Sequence, residues 1–168
     1  MNEPPFKFCP VCGGALETRR LKASEPERLV CQRCGFVFYL DPKVAVATIV
    51  TNDQGQIVLV RRAIEPGYGK WVIPGGYVDR GEEVQAAAIR EAREETGIEI
   101  QLGRLINIYS YSGRAPVIIV YAATMTGGCL ACDDEGLEAR FFEPAAIPWT
   151  ALAFRSTTEA LQEFLRRP

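Results

Sequence analysis

The chain has 168 residues, enough for one domain and a small appendage. Its 48% apolar and 24% charged composition excludes a disordered or fibrous chain. A net charge of −2 excludes the strongly basic footprint of a protein that lives on nucleic acid or anionic membrane. The longest apolar runs, residues 44–50 and 115–123, fall short of the ~20 residues that span a bilayer, so no membrane partner is expected. Residues 1–10 hold no apolar stretch of the signal-peptide kind, and a cytoplasmic location is the expectation.

The first forty residues are read as one small unit. Cys9-Pro10-Val11-Cys12-Gly13-Gly14 and Cys31-Gln32-Arg33-Cys34-Gly35 are two C-x-x-C turns separated by 18 residues, the spacing of a zinc ribbon. Each turn offers two thiolates to a tetrahedral ion, and the following glycine lets the backbone fold back so that amides face sulfur. Four cysteine ligands leave no open coordination position, so Cys9, Cys12, Cys31 and Cys34 point to structural Zn²⁺. Short strands are expected at 15–21, 28–31 and 36–40. Residues 1–40 carry 6 basic and 4 acidic side chains, too little excess charge to name a nucleic-acid partner.

Leu40-Asp41-Pro42 punctuates the chain and sets the expected boundary between a unit at 1–40 and a larger one at 41–168. Strands follow at 44–51 and 56–62, joined by Asn52-Asp53-Gln54-Gly55, a hairpin signal. A short strand at 70–73 is expected to end at Pro74-Gly75-Gly76. A helix at 82–96 should stop at Gly97 in a left-handed cap. Strands at 98–112, 117–126 and 140–143 come next, and Ser156-Thr157-Thr158-Glu159 reads as a capping box opening a final helix to about residue 167. Strands interspersed with helices in this order suggest an α/β fold with a mixed sheet between helices.

The chemistry concentrates in residues 74–98, PGGYVDRGEEVQAAAIREAREETGI. Val84, Ala87, Ala88 and Ala92 form an apolar stripe. Glu91, Glu94 and Glu95 share another face at i, i+3, i+4, where their mutual repulsion is only partly relieved by Arg90 and Arg93. An isolated trio of this kind is most simply a solvated acidic face. Preceded by a glycine-rich turn, it suits a hard dication such as Mg²⁺ or Mn²⁺. A third pair, Cys129 and Cys132, lacks the trailing glycine and reads as two loop cysteines beside an acidic stretch.

Gly76, Glu82, Arg90-Glu91-Ala92, Glu94-Glu95 and Gly97-Ile98 together match the Nudix box, and the chain resembles the Nudix hydrolase family. The resemblance implies a Nudix α/β/α sandwich preceded by a Cys₄ zinc ribbon, and hydrolysis of a nucleoside diphosphate linked to another moiety. It places Glu91, Glu94, Glu95 and the Gly75 carbonyl on the divalent ions and gives Glu82 and Arg90 a bracing role. The general base varies within this family; Glu135 and Glu138 in the acidic loop are the candidates, with Glu91 as competitor.

The stretch DPKVAVATIV, the turn GYGKWVIPGGYVDRGE and the tail IPWTALAFRST are similar to the short zinc-ribbon members that cleave FAD or ADP-ribose with release of AMP. The Ser-Gln-Pro-Trp-Pro-Phe-Pro stretch of NADH pyrophosphatases is missing, so NADH is the alternative substrate. A non-catalytic nucleotide-sensing module is the other alternative. Tyr77, Tyr109, Tyr111 and Phe154 are candidates to stack on an aromatic ring. Homodimerisation is common in the resembling family.

Overall fold

A computed structural model describes residues 6–166. They fall into two compact units that part between Asp41 and Pro42.

The first unit is a three-stranded antiparallel sheet, β1 (Leu16–Arg19), β2 (Arg28–Cys31) and β3 (Val37–Phe38), in that order. Its apolar centre is small: Leu16, Leu29, Cys9 and Cys31 are buried, with Cys12 and Phe38 packed beside them. So few apolar side chains cannot alone offset the entropy of ordering the segment.

The second unit is built on a seven-stranded mixed sheet. β4 (Val44–Thr51) is its axis, parallel to β9 (Val117–Gly128) along all eight residues. The main path runs β10 (Gly136–Phe142), β5 (Ile57–Arg62), β4, β9, β8 (Ile98–Ser110). β6 (Trp71–Val72) joins β5 and β7 (Gly75–Tyr77) joins β4. Side chains alternate across β4 as a strand requires. Ala47 and Ile49 enter one core with Leu59, Val120 and the helical residues Ala160 and Leu161. Val46 and Val50 face the other way, against Ala87, Ala88 and Ala92 of α1 (Val84–Thr96). The opposite face carries α2 (Arg155–Arg166). One helix on each face of a mixed sheet is the α/β/α sandwich that the sequence implies.

Three local expectations need correction. Gly75 and Gly76 do not simply end a strand: with Tyr77 they form β7, paired to β4. The short strand expected at 140–143 runs from Gly136 to Phe142, because β5 pairs it along its length. The capping box does not open α2, which already begins at Arg155. Ser156 and Thr157 are buried in its first turn, and Glu159 is held by Arg155 and Tyr111 instead.

Candidate active site

Helix α1 carries the acidic trio, and both its ends are tied down. At its N-terminal side Arg90 grips Glu82 with two parallel hydrogen bonds, Nε to Oε1 at 2.8 Å and Nη2 to Oε2 at 2.9 Å. Glu82 also accepts the Asp79 N–H at 3.0 Å, and Arg90 reaches the Tyr77 carbonyl at 3.2 Å. Paired donors of this kind hold the Glu82 carboxyl down at about 2. At the other end Gly97 has φ 66°, the left-handed cap, and its N–H returns to the Arg93 carbonyl. The Thr96 carbonyl accepts the Ala131 N–H at 2.9 Å, which fastens the loop after β9 to the helix end.

The three glutamates are treated differently. Glu95 is buried, and its carboxylate accepts the Gly75 N–H at 2.9 Å. Burial pushes its carboxyl up to about 8, against the pull of that amide; Glu91 and Asp133 push in the same direction as burial, and Arg62 opposes them. Glu91 is raised first by burial, against Arg90, with Glu94 and Glu135 adding repulsion. Glu94 is exposed and shares Arg90 Nη1 with Glu91, at 3.0 and 2.8 Å.

Beneath the trio the chain has no room for side chains. A Cβ on Gly76 would stand 2.5 Å from the Glu91 carboxylate, and one on Gly75 would stand 2.6 Å from Ala47 Cα. A glycine floor, one buried carboxylate with a single amide donor and further acids pressing on it form an anionic, oxygen-only donor set. Such a set fits a hard dication. The glutamate oxygens do not close into a cage here: among the described residues only the four ribbon cysteines gather as a group of three or more candidate metal ligands.

The loop candidates separate. Glu135 is exposed, acts electrostatically on Glu91, and has its carbonyl fixed by the Ala63 N–H at 2.7 Å. Glu138 lies within β10 opposite Arg61. Asp133 and Arg62, which both act on Glu95, were missed as individual residues. They lie on β5 and in the loop before β10, and only strand pairing brings them to α1. Of the aromatic candidates, Tyr109 and Tyr111 are committed to α2, donating to Glu163 at 3.2 Å and Glu159 at 2.7 Å. Tyr77 remains exposed, and Phe154 lies under Arg62.

In the first unit the sulfurs of Cys9, Cys12, Cys31 and Cys34 lie within 4.8 Å of one another. Cys9–Cys34 is 3.8 Å and Cys12–Cys31 is 3.5 Å. A tetrahedral ion with ligand bonds of about 2.3 Å requires edges of about 3.8 Å, so the cage has the right size. Val11 and Arg33 each donate a backbone N–H to sulfur at 3.4 Å. Gly13 and Gly35 adopt φ 71° and 72°, as the fold-back demands. Gly14 is required by packing: a Cβ there would press on Cys31 Sγ at 3.0 Å. Cys129 and Cys132 are exposed and free.

The two-helix sandwich and its box-bearing helix define a Nudix-type hydrolase fold. The chain belongs to the Nudix family: the NUDIX domain matches residues 41–164, and the family described as Nudix N-terminal, a zinc ribbon, matches 7–40. It is 38% identical over 114 residues to an ADP-ribose pyrophosphatase of Methanocaldococcus jannaschii, covering 66% of this chain and 67% of that one. It is 28% identical over 144 residues to the NAD-capped RNA hydrolase NudC of Pseudomonas aeruginosa, covering 84% of this chain but about half, 49%, of that protein. A crystal structure of a NUDIX hydrolase from Nitrosomonas europaea superposes with a TM-score of 0.90 at 30% identity, over 96% of this chain and 91% of that one. The protein is therefore a Nudix hydrolase, and its relatives support action on nucleotide-linked diphosphates. No helix among the described residues is long and apolar enough to cross a membrane.

Proposed function

We propose that the chain hydrolyses the diphosphate of ADP-ribose, releasing AMP and ribose 5-phosphate, with FAD as a second substrate of the same site. The observation that carries this reading is the buried Glu95 beside Glu91 over the Gly75–Gly76 floor. The name of the M. jannaschii relative favours ADP-ribose over FAD. NADH or an NAD-linked end is the competing substrate, because the similarity to NudC spans both units.

Glu91, Glu94, Glu95 and the Gly75 carbonyl would hold Mg²⁺ or Mn²⁺. When bound, the ion would neutralise charge on the diphosphate and acidify water. Arg90 and Glu82 keep α1 and its preceding turn in register. Glu135 is the stronger candidate for general base: it is exposed and acts electrostatically on Glu91, whereas Glu138 lies within β10 opposite Arg61. It takes a proton from the attacking water as the new P–O bond forms and the bridging P–O bond breaks. Arg62 offers a cation to the departing phosphate. Tyr77 and Phe154 each carry a cation over one face, Lys43 and Arg62, and would offer the other to a base or flavin ring. In the ribbon the four cysteines would hold structural Zn²⁺.

The test compares kcat/KM for ADP-ribose, FAD and NADH with Mg²⁺, in the native protein and in the Glu94→Gln/Glu95→Gln double variant. AMP release from ADP-ribose should dominate and fall about a hundredfold or more in the variant, the scale of removing a cation's charge stabilisation. Native protein as silent as the variant across all three substrates would overturn the enzyme reading in favour of a sensing module.

A further inference from the structure

Thr48 sits in the middle of β4 with no exposed surface, and its hydroxyl has no hydrogen-bond partner among the described residues. Nearby threonines behave otherwise: Thr51 donates to the Ala123 carbonyl at 3.3 Å and Thr96 to the Ala92 carbonyl. A buried hydroxyl left without a partner is costly, and valine would fill the same space without that cost. Its neighbours on the same face, Val46 and Val50, show that the layer accepts valine.

The position of Thr48 relates it to one carboxylate. Alternation along β4 turns its side chain, with those of Val46 and Val50, toward α1. Its N–H donates to the Pro74 carbonyl at 2.9 Å. The N–H of that same peptide unit, on Gly75, donates to Glu95 Oε2 at 2.9 Å. One peptide plane thus bridges Thr48 to Glu95, and Glu95 accepts no other hydrogen bond among the described residues. A carboxylate that holds a metal is normally oriented by outer donors, and the Thr48 hydroxyl is a buried, unpartnered donor on the face of β4 that packs against α1.

We infer that Thr48 is a positioning residue for Glu95: when a divalent cation is bound, its hydroxyl donates to that carboxylate and holds it in the orientation that grips the ion. The inference rests on the proposed cation-holding role of Glu95. It deepens that role by naming the residue behind it. Because the hydroxyl has no partner among the described residues, its contribution should appear on ion binding rather than in the stability of the fold.

The experiment pairs Thr48→Val with Thr48→Ser in the full chain. Thermal unfolding is followed in EDTA, Mn²⁺ uptake by electron paramagnetic resonance and Mg²⁺ uptake by calorimetry. Thr48→Val should unfold in EDTA at or above the native temperature and bind both ions about tenfold more weakly, the lower end of outer-donor losses. Thr48→Ser should bind to within about twofold of the native protein. Ion binding unchanged in Thr48→Val overturns the inference, as does an equal loss in Thr48→Ser. A Thr48→Val chain clearly less stable in EDTA also overturns it, since the hydroxyl would then have a partner without the cation. Native protein that takes up neither ion overturns the proposed function itself, and the Thr48 role with it.

Discussion

Arg90 and Glu82 meet in a two-pronged contact, with both guanidinium hydrogen bonds within 2.9 Å, across the turn that delivers Gly75 and Gly76 to the acidic face of α1. The folded Glu82 carboxyl titrates near 2, whereas its ordinary value is 4.5. Below 4.5 the unfolded chain takes a proton that the folded chain still refuses. The stabilising contribution is therefore complete above pH 4.5 and is lost as pH falls toward 2. Glu82→Gln should lower the urea midpoint at neutral pH and flatten the acid limb between those values. An unchanged acid limb would mean that other carboxylates govern it.

Glu95 behaves in the opposite sense. Its folded carboxyl titrates at about 8, so between 4.5 and 8 the metal-free fold holds a proton that the unfolded chain has released. Stability of the metal-free protein should decline as pH rises through that window, and Glu95→Gln should remove the decline. A cation needs the carboxylate, so Mg²⁺ uptake should expel a proton at pH 7 and tighten toward pH 8. Calorimetry in buffers of different ionisation heats measures that proton directly. Zero release would contradict the assignment.

Gly97→Ala and Gly55→Ala form a matched pair. Both glycines have positive φ, 66° and 76°, but a Cβ on Gly97 would stand 2.6 Å from the Cys129 carbonyl while one on Gly55 meets nothing. Gly55→Ala should cost about 1 kcal/mol from its backbone alone. Gly97→Ala should cost about 2–4 kcal/mol, adding the clash to the strain. Equal midpoints in urea would remove the steric argument.

The ribbon should carry one zinc per chain by elemental analysis. Substituting Cys12 or Cys31 by serine should release it, while Cys129→Ser and Cys132→Ser should keep it. Structural zinc of this type is worth roughly 10–16 kcal/mol, so a chelator should unfold the small sheet. Retention of metal after loss of the ribbon thiols would assign it to the other pair.

Much of this was readable along the chain because the informative residues are close together in it. The strands 44–51 and 28–31, the end of α1 at Gly97 and the box itself depend on neighbours within a few turns. β10 was underestimated because its length is set by β5, some eighty residues away. The start of α2 was misread because Ser156 and Thr157 are used for burial rather than capping. Asp133, Arg62 and Thr48 are invisible in sequence for the same reason as β10: each acquires meaning only when distant strands align beneath α1.

The turn at 75–77 is braced from two sides: Glu82, Arg90 and Glu95 tie it to α1, and β4 holds it through its pairing with Ala45–Ala47 and the Thr48 N–H. The segments between β5 and β6 and between β8 and β9 carry none of that burden. Changes in their length or sequence leave the contacts that hold the turn at 75–77 untouched. A scaffold of this kind can diversify its appetite without rebuilding its teeth.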